Sequence, residues 1–405
     1  MINRKIALTL ATALSLNQLV FGENWLQYRG TDHRGISIES ETPTTLSKEK
    51  NIAWKTPLPG RGLSSPIVVG NLIFITASST ADQSRLHVIC ANTDNGKIEW
   101  NRQFWATGRT ICHDKTCVAA PTPASDGKHI YALYSCNDLI CLDLKGNLKW
   151  IRGLMQDYPN ASNSLGLASS PIIVDETLIV QIENDSDSFV SGINLKDGSN
   201  LWKLPRTKRA NWTSPIKLNE KEVAIQGSEG ITCVTAKTGK IQWSYSEGAS
   251  TIPSSVSTLG GTMLYVPSNG ITAIKPRKDN NTPEIIWQES QLRPGTSSPL
   301  IVDNKIYIIN RAGVLNAAQK NTGERLWRLR LDGPFSGSPV SSNGHIYVAS
   351  ERKGIFQSID ISGKEGKISG SIELGETILG TPAIANNSIF IRSDGHLWKI
   401  SNPKG

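Results

Sequence analysis

Short apolar runs and polar turns alternate along most of this chain, and the alternation recurs as a phrase. In NKIYIINRAGVLNAAQKNTGERLW, residues 304–327, the runs IYIIN, VLNAA and RLW are separated by turn residues. Runs of this length with a period near two, bounded by Asn, Asp and Gly, predict short strands in place of helices. The closing step, a glycine turn followed by an indole, reappears as DNGKIEW ending at Trp100, KGNLKW at Trp150, KDGSNLW at Trp202 and KTGKIQW at Trp243. A looser copy, NNTPEIIW, ends at Trp287, and the phrase quoted first ends at Trp327.

A second phrase precedes each of these: a small-residue step before proline, at Pro66, Pro123, Pro171, Pro215, Pro299, Pro339 and Pro382. An apolar or aromatic residue follows eight positions later: Phe74, Tyr131, Ile179, Val223, Tyr307, Tyr347 and Phe390. Successive prolines lie 57, 48, 44, 84, 40 and 43 residues apart, and the 84-residue gap holds a degenerate unit near Ile252–Tyr265, so the count is eight units. Four short antiparallel strands in each unit make one propeller blade. A parallel β-helix has shorter coils, and a sandwich would not reuse one phrase around the whole chain. The expected fold is therefore all-β, an eight-bladed β-propeller of four-stranded antiparallel blades. Its last unit runs out before a tryptophan phrase, while NIAWKTPL with Trp54 stands alone before the first, so the N-terminal strand is expected to complete the last blade and leave no free edge.

The indoles then have a structural task. A twisted sheet must pack against its neighbour, and a broad flat ring at a fixed strand position fills the wedge between blades. Trp54, Trp100, Trp150, Trp202, Trp243, Trp287 and Trp327 are read as blade-docking residues, because their spacing follows the unit. An aromatic ligand cage is the rival reading. The turn glycines supply positive φ, and the small residues before proline suit an innermost strand near a crowded axis.

The phrase TAKTGKIQW, residues 235–243, resembles the repeat of the PQQ-like β-propeller family, and the resemblance spans roughly residues 51–400. It implies two kinds of activity. One is that of quinoprotein alcohol or sugar dehydrogenases, which hold pyrroloquinoline quinone with calcium over the axis; the other is that of a barrel-assembly lipoprotein propeller, which binds protein partners without a cofactor. This chain has neither the adjacent-cysteine pair of the dehydrogenases nor a CxxCH motif, and residues 17–24 lack the cysteine that a lipoprotein needs.

Composition adjusts this picture only slightly. The 405 residues include 35 glycines, 20 prolines and 11 tryptophans, in keeping with many turns. The start MINRKIALTLATALSLNQLVFGENW reads as an export signal over residues 1–22, followed by a wrapping segment, 23–50, and the propeller, 51–405. Losing Arg4 and Lys5 with the signal lowers the net charge from +8 to +6, scattered along the chain, which argues against a nucleic-acid groove. No later stretch is long and apolar enough to span a bilayer, and an exported monomer, periplasmic or extracellular, is expected.

Of the six cysteines, Cys90, Cys141 and Cys233 fall where another unit has Ala317 and read as small core residues. Cys112 and Cys117, in an insertion before Pro123, are expected to pair locally, with Cys136 as an alternative partner and metal ligation as the sharper rival. Three long loops, FWATGRTICHDK, MQDYPNASNSLGLASS and PRTKRANWTSP, precede consecutive units and are expected to converge at the mouth of the channel. Arg109, His113, Asn163, Arg209, Asn211 and Trp212 from these loops are the candidate ligand-binding residues for an anionic or planar guest. Glu183, Asn184 and Asp185 offer oxygen ligands for calcium, but a polar turn explains them as well. No nucleophile–base ordering or phosphate loop stands out. A non-catalytic, cofactor-free binding or scaffold module that recognises a protein or other ligand is expected, with a quinone-dependent oxidoreductase and a solute or glycan binder as alternatives.

Overall fold

Seven of the repeats pair their own four short strands in chain order through short turns, and the eighth borrows its outer strand from the N-terminal segment. The computed structural model describes residues 23–162, 164–277 and 281–403. The export signal expected at 1–22 and the candidate Asn163 lie outside the described residues. Eight four-stranded antiparallel sheets form the blades. Blades 1 to 7 span residues 67–105, 124–153, 172–206, 216–245, 256–289, 300–330 and 340–373. Blade 8 combines 383–401 with the N-terminal strand Ile52–Pro57.

Closure follows the expected route. Ile52–Pro57 pairs antiparallel with His396–Ser401, bringing Trp54 opposite Lys399 and Lys55 opposite Trp398. The Lys55 ammonium lies 4.3 Å from the centre of the Trp398 ring, and the Glu376 carboxylate is 3.1 Å from the same ammonium. The degenerate unit is a complete blade as well, with Val256 opposite Tyr265.

The glycine–indole phrase is an interlock between blades. Trp202 of blade 3 donates its Nε1–H to the carbonyl of Ala236 in blade 4 at 2.7 Å, and lies so close to the turn of that blade that a Cβ on Gly239 would sit 2.6 Å from the indole. Gly239 has φ +67°, which also favours glycine at this point. Trp54, Trp100, Trp150 and Trp287 repeat the bond to the next blade, onto Thr93, Leu144, Leu195 and Lys320. Trp327 lies against Gly366 without that bond, and Trp243 is buried. On their own blades Trp100, Trp150, Trp202, Trp243, Trp287 and Trp327 each face a small residue across the strand pair, Cys90, Cys141, Gly192, Cys233, Ala273 and Ala317 in that order, whereas Trp54 at the seam faces Lys399. Volume therefore places these three cysteines, since a larger side chain would collide with the ring.

Blade 7 departs from the pattern. Gly370 stands where the others carry tryptophan, and Leu46 of the N-terminal segment fills the space. That segment straps one face of the disc. It pairs with Val68 through Trp25, accepts from Ser125 at Leu26 and from Ile173 at Gln27, reaches Pro299 with the buried Arg29, and meets Ser341 at Gly35 and Ser37.

Candidate functional site

The small residues before proline, viewed together, form a closed belt around the axis. The backbone N–H of Ser65 donates to Thr122 Oγ1, that of Thr122 to Ser170 Oγ, and that of Ser170 to Ser214 Oγ, at 2.9, 3.0 and 3.0 Å. Ser214, Ser254, Ser298, Ser338 and Thr381 continue the chain of bonds, and the N–H of Thr381 returns to Ser65 Oγ at 3.1 Å. One hydroxyl per blade thus satisfies a buried N–H of the blade before it, as a crowded axis requires.

Two residues before each belt position stands a second, wider ring. Its members are Leu63, Ala120, Ala168, Trp212, Ile252, Thr296, Ser336 and Leu379. Large apolar side chains come from blades 1, 4, 5 and 8. At blades 2 and 3 the collar has only alanine, and there the long loops lean in with His113, Lys115, Thr116 and Leu165. Collar and belt enclose a well of about 420 Å³. Tyr28 of the strap enters from the other face and bonds Ser338 Oγ at 3.0 Å, closing the floor.

The three loops meet as their order implied. His113 N–H donates to Leu165 O at 3.1 Å, and Trp212 Nε1–H donates to Gly166 O at 2.8 Å, so loops from three successive units are tied together at the mouth. Of the candidate residues, His113 and Trp212 line the well. Arg109 and Arg209 are exposed and do not line it. Asn211 is buried and already committed, donating to Glu183 Oε2 and to Gln226 O at 2.8 Å each. The mouth also exposes Leu165 and Ile252, at 40% and 46%, and Ile111, 54% exposed, lies two residues before His113 on the same loop.

The expected bridge between Cys112 and Cys117 is not formed; all six thiols are free. Cys117 is fully buried with Val118 and Ala119 in the core between blades 1 and 2, and burial pushes its thiol up to about 12. Cys112 stays half-buried, where Gln83 Nε2 donates to its sulfur at 3.6 Å. Leu63, Ile252 and Leu379 escaped sequence reasoning, although a fixed offset from the small-residue phrase marks them. Tyr28 left no such signal.

A quinone held with a metal needs hard oxygen ligands beside the axis. No carboxylate lines the well. Glu183 is spent on Arg206, 2.7 Å away, and on Asn211, and no group of three or more His, Cys, Asp and Glu residues suited to a metal occurs among the described residues. The residues of the well do not fit such a group.

Comparison with known proteins places this geometry. A family model described as outer membrane protein assembly factor BamB matches residues 42–182, 80–281, 277–369 and 314–405. The curated relatives bearing that name include proteins of Salmonella typhimurium, 28% identical with 25% of this chain and 31% of the relative aligned, and Escherichia coli, 24% identical with 32% and 37% aligned. The protein of Legionella pneumophila is 23% identical with 51% of this chain and 54% of the relative aligned, so the chain matches at most about half the length of these relatives. Among solved structures, BamB from Moraxella catarrhalis superposes with TM-score 0.60 at 17% identity, covering 86% of this chain and 98% of the other. A europium-containing methanol dehydrogenase gives 0.70 at 12%, covering 94% and 98%, and the quinohemoprotein alcohol dehydrogenase of Comamonas testosteroni gives 0.73 at 11%, covering 94% and 81%. At these identities the structural likeness speaks for the propeller alone, which both groups share. The family model covers nearly all of the described propeller, and the chain belongs to the family of outer membrane protein assembly factor BamB.

Proposed function

We propose that this chain is an exported, non-catalytic docking module that binds a protein of the outer-membrane assembly apparatus through the loop-bearing face. The observation that carries the reading is the cluster of exposed Ile111, Leu165 and Ile252 on loops tied together around the mouth. Scattered exposed apolar residues are ordinary, but two on the rim of an apolar well, with Ile111 beside them in sequence on a loop bonded to Leu165, are of the kind that partners cover. Propeller loops on a rigid disc can recognise a surface without paying for large rearrangement. Among the described residues no helix is long and apolar enough to cross a membrane, in keeping with a module that works beside one. A quinone-dependent reaction finds no metal ligands in the well, and the dehydrogenase likeness does not supply them.

Photo-crosslinking in cells from a reactive residue at position 111 or 252 tests the reading. The expected product is one adduct with an assembly component, lost when Leu165 is replaced by Asp. Crosslinking that is equally strong from the strapped face would sink it, as would saturable binding of pyrroloquinoline quinone with calcium that supports turnover of an alcohol or sugar.

A further inference from the structure

We infer that the axial well is itself a binding site for a small amphipathic carboxylate, whose apolar body sits in the collar and whose anionic head rests on the hydroxyl belt. Each belt hydroxyl uses a lone pair to accept its neighbour's N–H, which leaves its own proton to donate. At Ser338 the Tyr28 hydroxyl takes part. The other seven belt hydroxyls line the well, are at least 96% buried, and donate to no protein acceptor among the described residues. Buried donors without acceptors are costly, so a ring of them selects an acceptor-rich guest.

Charge selects the sign. The charged side chain lining the well is Lys115, on the rim, and no carboxylate lines the well beside it. An ammonium guest would meet donors and a cation, whereas a carboxylate meets acceptor-hungry hydroxyls and a favourable field. Leu63, Ile252, Leu379 and the Trp212 face supply the apolar wall. Because Tyr28 closes the floor, a guest enters end-on, which suits a free acid or the carboxyl end of a peptide and excludes a strand threading through the disc. The site goes beyond the docking role and stands whether or not a protein covers the rim.

Calorimetric titration of the full exported chain decides it, with phenylbutanoate, phenylbutylamine and phenylbutanamide as probes. The expected result is saturable binding of the acid at one site, with amine and amide weaker by about tenfold or more. Ile252→Asp, at an exposed collar position, is expected to weaken the acid by about tenfold as well, with an unchanged unfolding midpoint; Leu165→Asp serves if that variant does not fold. A peptide ending in leucine, with free or amidated carboxyl, separates the two sources: tighter binding of the free-carboxyl peptide than of phenylbutanoate assigns the site to chain ends, and the reverse assigns it to small acids. No saturable heat, equal binding of acid and amine, or an unchanged affinity in both folded variants would overturn the inference. Because none of these readings involves a partner protein, their failure is distinguishable from failure of the docking role.

Discussion

At Trp202 one side chain performs three tasks. It covers the Gly239 turn of the next blade, satisfies the Ala236 carbonyl and rests across from Gly192 on its own blade. Truncation to alanine removes the contact and leaves a cavity and an unpaired carbonyl, so Trp202→Ala should cost about 3 kcal/mol, read as a shift of the urea midpoint. Gly239→Ala should destabilise on its own, both through its φ of +67° and by pressing on the indole, and should cost less in the Trp202→Ala background. Additive effects would show that ring and turn do not touch. This interlock was legible in the sequence because its parts lie close together: turn, strand and indole follow one another within each phrase, and only the partner blade had to be supplied. Asn211 shows the opposite case. Nothing local says that its amide is already occupied by Glu183 and Gln226, residues brought to it by strand pairing.

The element most dependent on context is the strap. Its composition suggests a polar loop, yet Trp25, Arg29 and His33 are at most 2% exposed. Burial, and next the charge of Arg29, hold the His33 imidazole down at about 3 from the ordinary 6.5. The unfolded chain therefore binds a proton near pH 6.5 that the folded chain refuses until about 3. The stability that comes from keeping this ring neutral is complete above 6.5 and falls as the pH drops through that window. His33→Asn keeps a residue that tolerates the local φ of +63° and should flatten the slope of stability against pH there, measured as denaturant midpoints at steps across the window. An unchanged slope would mean that His33 does not govern the strap.

For the whole molecule the decisive feature is the seam. Deleting His396–Ser401 would leave Ile52–Pro57 and Ser388–Arg392 as unpaired edges, exposing backbone donors and acceptors that the ring otherwise hides. Such a chain should lose its single cooperative unfolding transition and self-associate, visible by light scattering after size-exclusion chromatography. A monomer that unfolds like the parent would show that the ring does not depend on its closure. The number of blades and the place of this seam follow from the sequence alone, since periodic runs dictate strands and an orphaned phrase at each end dictates how they join. The belt of hydroxyls, the collar above it, the free state of Cys112 and Cys117 and the strap across the floor were decided only by the tertiary structure. Local pattern determines what each segment becomes, but residues tens of positions apart meet around an axis only after the ring has closed, and no periodicity within a unit records which of them will then face one another.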